Sequence, residues 1–417
     1  MPAHGLRKPD DHAPEALHRL SELLDETERA RWPPTGRTRR YGDTGRCAGR
    51  ACGSTLLALH TDRGLLMDDD YERLAAALDR LANGFPRTES GVELRLLHKM
   101  LSPEEAALAA VLTATPEPVA RIAERGGLAV DQAAALLKRL ARRELVWVSS
   151  APGARGFRLA PFVVGSYEAH MLASRDPEYA RLVEEYLSGG GAALMMAPQP
   201  AIHRVVPARA AVKSEWVLPY DDVRAILLGA RSFRVGDCVC RVQQDQLGSR
   251  RCDFPIQSCL WFSASEEPGQ EGAISQAEAL EFLDHVEQIG LVHTVSNVME
   301  GFGYVCNCCG CCCGLLRGVT EWGIDHSVAQ ANYVAEIDPE SCTSCATCME
   351  RCQVAAIAER DGVYLVDRDR CIGCGLCVTG CPSEAAELHP KPPEEVVPPP
   401  PDFAAWEQQR LRDRGLL

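Results

Sequence analysis

The chain has 417 residues, 46% hydrophobic and 24% charged, which is enough apolar material for two or three domains of roughly 100–200 residues each and excludes a wholly disordered polymer. Its 44 basic and 58 acidic residues give a formal charge of −14, which excludes a surface built mainly to bind nucleic acid. No run of about 18 apolar residues is present, so no membrane span is expected.

Residues 1–60 read as a flexible N-terminal segment. Arg31–Gly53 holds six Arg, five Gly and two Pro, and the start of the chain lacks the apolar stretch of a secretion signal, even with Arg39-Arg40 present. Cys47 and Cys52 read as incidental thiols. Residues 61–187 read as a helical domain. Leu74, Leu78 and Leu81 form a helical stripe over 71–82, and Ser102-Pro103-Glu104-Glu105 is a helix start. Helices at 118–125 and 130–143 and strands at 145–149 and 156–160 follow, with a turn at Ala151-Pro152-Gly153. This order resembles a winged-helix domain over about 102–165. Eight basic residues (Arg121, Arg125, Lys138, Arg139, Arg142, Arg143, Arg155, Arg158) against four acids (Glu117, Glu124, Asp131, Glu144) leave that module positive. DNA contact is one implication; a protein docking module is the other.

Residues 190–333 read as a cysteine-rich α/β middle domain, with helices at 221–230 and 275–289 and a strand at 291–295. Of the chain's 20 cysteines, 18 lie between Cys238 and Cys381. Ten fall in the middle domain: Cys238, Cys240, Cys252 and Cys259, then Cys306, Cys308, Cys309, Cys311, Cys312 and Cys313. Such crowding inside a large Ala-rich chain does not suit a secreted disulfide scaffold and reads as a reduced, cytoplasmic metalloprotein. Ten thiols exceed the four that one cubic cluster needs, so two metal centres or one larger cluster are expected. Iron–sulfur, zinc or copper, and dithiol redox chemistry all remain open. Adjacent cysteines in an extended chain point to opposite sides and so cannot all serve one centre; Cys306 and Cys308, with Cys311 as a further candidate, are expected to face one centre, and Cys309 and Cys312 another. The segments around 238–259 and 306–313 are expected to meet, with Arg241 offsetting their negative charge.

Two repeats follow 29 residues apart: Cys342-x2-Cys345-x2-Cys348-x3-Cys352 and Cys371-x2-Cys374-x2-Cys377-x3-Cys381. Over 334–389 they resemble the bacterial-type ferredoxin with two [4Fe–4S] clusters, whose fourth cysteine ligates the cluster of the other repeat. The resemblance implies one cluster on Cys342, Cys345, Cys348 and Cys381 and another on Cys371, Cys374, Cys377 and Cys352. The first repeat ends Cys352-Gln353 where the pattern has Cys-Pro. With the C-x-C-R and C-N-C-C-x-C-C-C motifs ahead of it, the whole resembles an anaerobe-type iron–sulfur protein. Residues 390–417 read as a Pro-rich linker and a short helix, 403–414.

The fold class expected is therefore α+β and multidomain. No G-x-G-x-x-G, P-loop or hydrolase elbow is present, so no nucleotide, flavin or hydrolytic site is indicated. The function expected is electron transfer through iron–sulfur clusters, as donor to or subunit of an oxidoreductase, with a redox partner protein. A redox- or metal-responsive winged-helix regulator and a metal- or cluster-handling protein are the alternatives.

Overall fold

The computed structural model describes residues 61–149, 156–266, 269–270 and 272–417, with backbone only for 61–68. Expectations placed on 1–60, Cys47 and Cys52 among them, and on the turn at 151–153 lie outside these residues.

Helices dominate the first part: α1 (Thr61–Asp79), α2 (Val92–Met100), α3 (Pro103–Ala109), α4 (Val119–Gly126) and α5 (Val130–Arg142). Ser102 starts α3 with a capping box: its hydroxyl accepts from Glu105 N (3.3 Å) and Glu105 Oε2 accepts from Ser102 N (3.0 Å). The antiparallel strands β1 (Val146–Ser149) and β2 (Gly156–Leu159) follow, and Glu117 bridges to Phe157 as a short third strand. Four of the eight basic residues here are already engaged: Arg125 with Glu117, Arg139 and Arg143 with Glu105, and Arg158 with Glu407. Helices α6 (Tyr167–Ser174), α7 (Pro177–Tyr186) and α8 (Ala192–Met196) lead on to the middle part.

A six-stranded sheet forms the middle part: β3 (His203–Val206), β4 (Ser232–Asp237), β5 (Gln257–Ser263), β6 (Ala273–Ile274), β7 (Val292–Ser296) and β8 (Tyr304–Cys308), in the order β3-β7-β8-β5-β4-β6. Every neighbouring pair is antiparallel, which corrects the α/β expectation for this region. Helix α9 (Val223–Leu228) precedes β4, and α10 (Val239–Gln246) lies between β4 and β5. Helix α11 (Gln276–Gln288), started by a second capping box at Ser275, carries the chain from the β6 edge across to β7. That crossing brings β8 into register beside β5, and α12 (Gly314–Thr320) follows the cysteine run.

The two cysteine repeats fold as a pseudo-symmetric unit. β9 (Tyr333–Ile337) pairs with β12 (Ala386–Pro390), and β10 (Ile357–Arg360) pairs with β11 (Val363–Val366). Between them lie the short helices α13 (Thr347–Arg351) and α14 (Leu376–Thr379). Both cysteine loops turn left-handed at the same two positions, Ser344 and Ala346 in the first and Gly373 and Gly375 in the second. A Cβ on Gly375 would come within 2.4 Å of Ala211, so the second loop packs tightly on the middle part.

The Pro-rich segment after β12 runs along the middle part. Met299 N donates to Pro400 O (2.8 Å), and Asn332 exchanges hydrogen bonds with Val397. Helix α15 (Phe403–Asp413) then docks. Arg410 is fully buried and donates to the carbonyls of Ala82 (2.8 Å), Pro200 (2.8 Å), Pro198 and Met195, while Arg414 pairs with Asp79. One side chain thus ties the first helical hairpin to the entry of the sheet.

Candidate metal centres

The ten middle cysteines divide into two sets, and the division follows from local backbone. Along extended β8, Cys306 and Cys308 face one side with Asn307 between them on the other. Past Cys308 the chain leaves the strand and turns at residues 310–312. Alternation no longer applies there, so adjacent Cys311 and Cys312 come together, their sulfurs 3.5 Å apart. Cys311 therefore joins Cys309 and Cys312, which corrects its expected pairing with Cys306 and Cys308.

The first set has four members. Cys252 Sγ lies 3.8 Å from Cys309 Sγ and 3.8 Å from Cys312 Sγ, and Cys311 Sγ lies 3.7 Å from Cys309 Sγ. All four sulfurs are within 4.8 Å of one another. The thiols of Cys311 and Cys312 hold Cys309 well down, at about 2, as a thiolate.

The second set has six members, each near enough to the next to shift its titration, in a closed succession: Cys238 and Cys240, Cys240 and Cys313, Cys313 and Cys308, Cys308 and Cys306, Cys306 and Cys259, and Cys259 and Cys238. Cys238 caps the N-terminus of α10 with Cys240 in its first turn, Cys259 lies on β5, and Cys313 caps α12. Cys240 and Cys259 lower the Cys238 thiol well below its usual range, and Cys306 and Cys313 bring Cys308 to about 7. Deprotonated sulfur is the form that binds metal.

Arg241 is fully buried. It donates to Asn307 O (3.0 Å), Ser258 Oγ and Pro255 O (3.4 Å), and its Nε has no partner. Burial alone would lower its proton affinity, but Cys238, Cys309, Cys308 and Cys259 raise it beyond the usual guanidinium value. Those four come from both sets, so one cation serves two sulfur sites.

In the repeat region, Cys352, Cys371, Cys374 and Cys377 line one apolar cavity together with Ile372, Leu376 and Val354. Three cysteines of the second loop meet the fourth of the first, a donor set that fits a four-iron cube. Burial pushes Cys377 up to about 12, with Cys371 and Cys352 adding to the effect. Cys342 and Cys345 lie close enough to raise Cys348 beyond the effect of its burial. Cys381 contacts Ser383 Oγ (3.7 Å), and Asp338 N donates to Ala385 O (2.9 Å), which lays the turn after Cys381 beside the approach to Cys342. Cys345 is exposed.

Several connecting residues carry no sequence signature, with one exception. Gln353, the departure from the Cys-Pro pattern, accepts from Gly310 N at Oε1 (2.9 Å) and donates to Gly290 O from Nε2 (3.0 Å). A Cβ on Gly310 would lie 1.9 Å from Gln353 O. The residue after Cys352 thus touches the residue between Cys309 and Cys311. Arg351 adds bonds to Glu287 O (2.9 Å) and Gln288 O (2.9 Å). From Glu287 a buried polar chain continues: Oε1 to His293 Nε2 (3.1 Å), His293 Nδ1 to Asn307 Oδ1 (2.6 Å), and Asn307 O to Arg241.

A family model described as a 4Fe-4S dicluster domain matches residues 341–386. No curated protein and no solved structure matches the chain. Residues 341–386 are accordingly a ferredoxin-like iron–sulfur domain. Among the described residues no helix is long and apolar enough to cross a membrane.

Proposed function

We propose that this chain is an electron-transfer protein, a ferredoxin-type donor or oxidoreductase subunit, with two [4Fe–4S] clusters and a further metal centre on the six-thiol set. The observation that carries this reading is the contact between Gln353 and Gly310, which sets a cluster-ligand segment directly against the middle cysteine run. One cluster would be held by Cys371, Cys374, Cys377 and Cys352, and the other by Cys342, Cys345, Cys348 and Cys381. Bound there, such clusters supply reversible one-electron oxidation and reduction.

The protein's own residues set the conditions. Apolar side chains around Cys371, Cys374 and Cys377 exclude water, and exposed Cys345 leaves the first loop open to a redox partner protein. Six thiols next to Arg241 make a centre whose negative charge is offset on one side, which favours the reduced, more anionic state. A winged-helix regulator is less well supported, because Arg125, Arg139, Arg143 and Arg158 are engaged within the protein.

The test is iron and acid-labile sulfide analysis of the full chain under anaerobic conditions, with electron paramagnetic resonance of the reduced protein. The expected result is about eight irons in two cubes plus further metal. Zinc in place of iron at 342–381, or no reducible cluster signal, refutes the reading. Sequence-specific binding to an operator in a mobility-shift assay would favour the regulator instead.

A further inference from the structure

We propose that Cys252, Cys309, Cys311 and Cys312 hold one divalent metal ion in tetrahedral thiolate coordination, separate from the six-thiol set, and that this ion fixes the turn on which the ferredoxin-like domain docks. Four sulfurs bound to a single ion at about 2.3 Å lie about 3.8 Å apart along the edges of the tetrahedron. The sulfur–sulfur distances here are 3.8, 3.8, 3.7 and 3.5 Å, and the other two pairs stay within 4.8 Å. A four-iron cube interposes an iron–iron edge between each pair of cysteine sulfurs, and this set is too tight for one.

The surroundings are those of a closed site. Cys309 and Cys312 are buried, and Val286, Leu291, Phe254 and Ile289 pack around the sulfurs. Four thiolates and a divalent ion sum to −2, and two guanidinium groups answer that charge: Arg241, and Arg250, which lies near enough to Cys252 for that thiol to raise its proton affinity. The Nε atoms of both arginines are buried and have no other partner. Four protein ligands leave no open position, so the ion is structural rather than catalytic.

Its role follows from Gly310. Both neighbours of Gly310 in the chain, Cys309 and Cys311, are ligands, and the Gly310 N–H is the donor to Gln353 Oε1. Coordination on either side fixes the direction of that N–H and with it the seat of Gln353. Zn²⁺ and Fe²⁺ share this chemistry.

The experiment uses the full chain purified anaerobically. In the wild type we expect either one equivalent of zinc with four sulfur neighbours by X-ray absorption, or one tetrahedral thiolate iron, distinct from cluster iron, by Mössbauer spectroscopy. Cys252→Ser and Cys312→Ser should each lose that equivalent without loss of acid-labile sulfide, and amide exchange at 310–313 should rise. Cys259→Ser, in the other set, should keep it. Loss of sulfide and about four irons with Cys252→Ser, or full retention of the ion, overturns the proposal. If the variants do not fold, the wild-type spectra decide: neither zinc nor a single-iron signal overturns it too. Failure of the electron-transfer reading would show as missing reducible clusters and leave this ion count unchanged.

Discussion

Gly310→Ala tests the junction between the ferredoxin-like domain and the cysteine run. The added Cβ would sit 1.9 Å from Gln353 O, where real contacts stay beyond 3.0 Å, so the two backbones must separate by at least 1.1 Å. That separation breaks the Gly310–Gln353 bond at 2.9 Å and strains the Gln353–Gly290 bond at 3.0 Å. Two hydrogen bonds at about 1 kcal/mol each and an overpacking penalty of about 1–3 kcal/mol give a local cost of about 3–5 kcal/mol. At a factor of ten per 1.4 kcal/mol, amide exchange at 310–313 and 290–291 should accelerate by about 100- to 3,000-fold, read by mass spectrometry under anaerobic conditions. Gln353→Ala removes the hydrogen bonds without the clash and should give about 30-fold, corresponding to about 2 kcal/mol. Gly126→Ala is the control, since its Cβ would meet Leu108 at an ordinary 3.4 Å. Exchange in Gly310→Ala equal to that of the control would refute the close approach.

Arg410→Met takes the donor from four carbonyls, two of them (Ala82 and Met195) buried, and should cost about 3–5 kcal/mol, seen as rapid protease cleavage around 390–403 while the wild type resists. Cys381→Ser should damage the first repeat's cluster more than the second's, checked by paramagnetic resonance of the reduced variant; the opposite pattern would exclude crossed ligation. Burial lowers His203 from 6.5 to about 4, so the fold holds it neutral. The stability this confers is complete above pH 6.5 and is lost as pH falls toward 4, by up to about 3 kcal/mol. Urea unfolding of His203→Gln should therefore lose less stability than the wild type over that window, and parallel curves would count against the assignment.

What could be read in advance tracks how local its cause is. The capping boxes at Ser102 and Ser275 need only four residues, and both helices start where those residues place them. β8 was legible only as an extended run: of Tyr-Val-Cys-Asn-Cys, Tyr and Val alone favour a strand, and its pairing with β5 and β7 is set by tertiary packing. The antiparallel sheet escaped for the same reason, since strand direction depends on where α11 delivers the chain. Alternation separated Cys306 and Cys308 from Cys309 correctly and fails at Cys312, which a turn brings to the side of Cys309 and Cys311, so the expected grouping of Cys311 with Cys306 and Cys308 does not hold. Gln353 was visible as a departure from a pattern, but its partner, 43 residues away, was not.

The docking of α15 bears on how the chain folds. Arg410 and Ala82 are 328 residues apart in sequence, and Arg414 and Asp79 are 335 apart. Closure entropy grows only as the logarithm of loop length, so spanning that distance rather than half of it adds only about 0.6 kcal/mol. The larger consequence is kinetic. Contacts this remote in sequence are expected to form late in folding, because closing so long a loop costs entropy before the contact returns any stability. Until then the first helical hairpin and the sheet are separately mobile, and that interval is when iron, sulfide and metal ions have freest access to the thiols that the finished fold encloses.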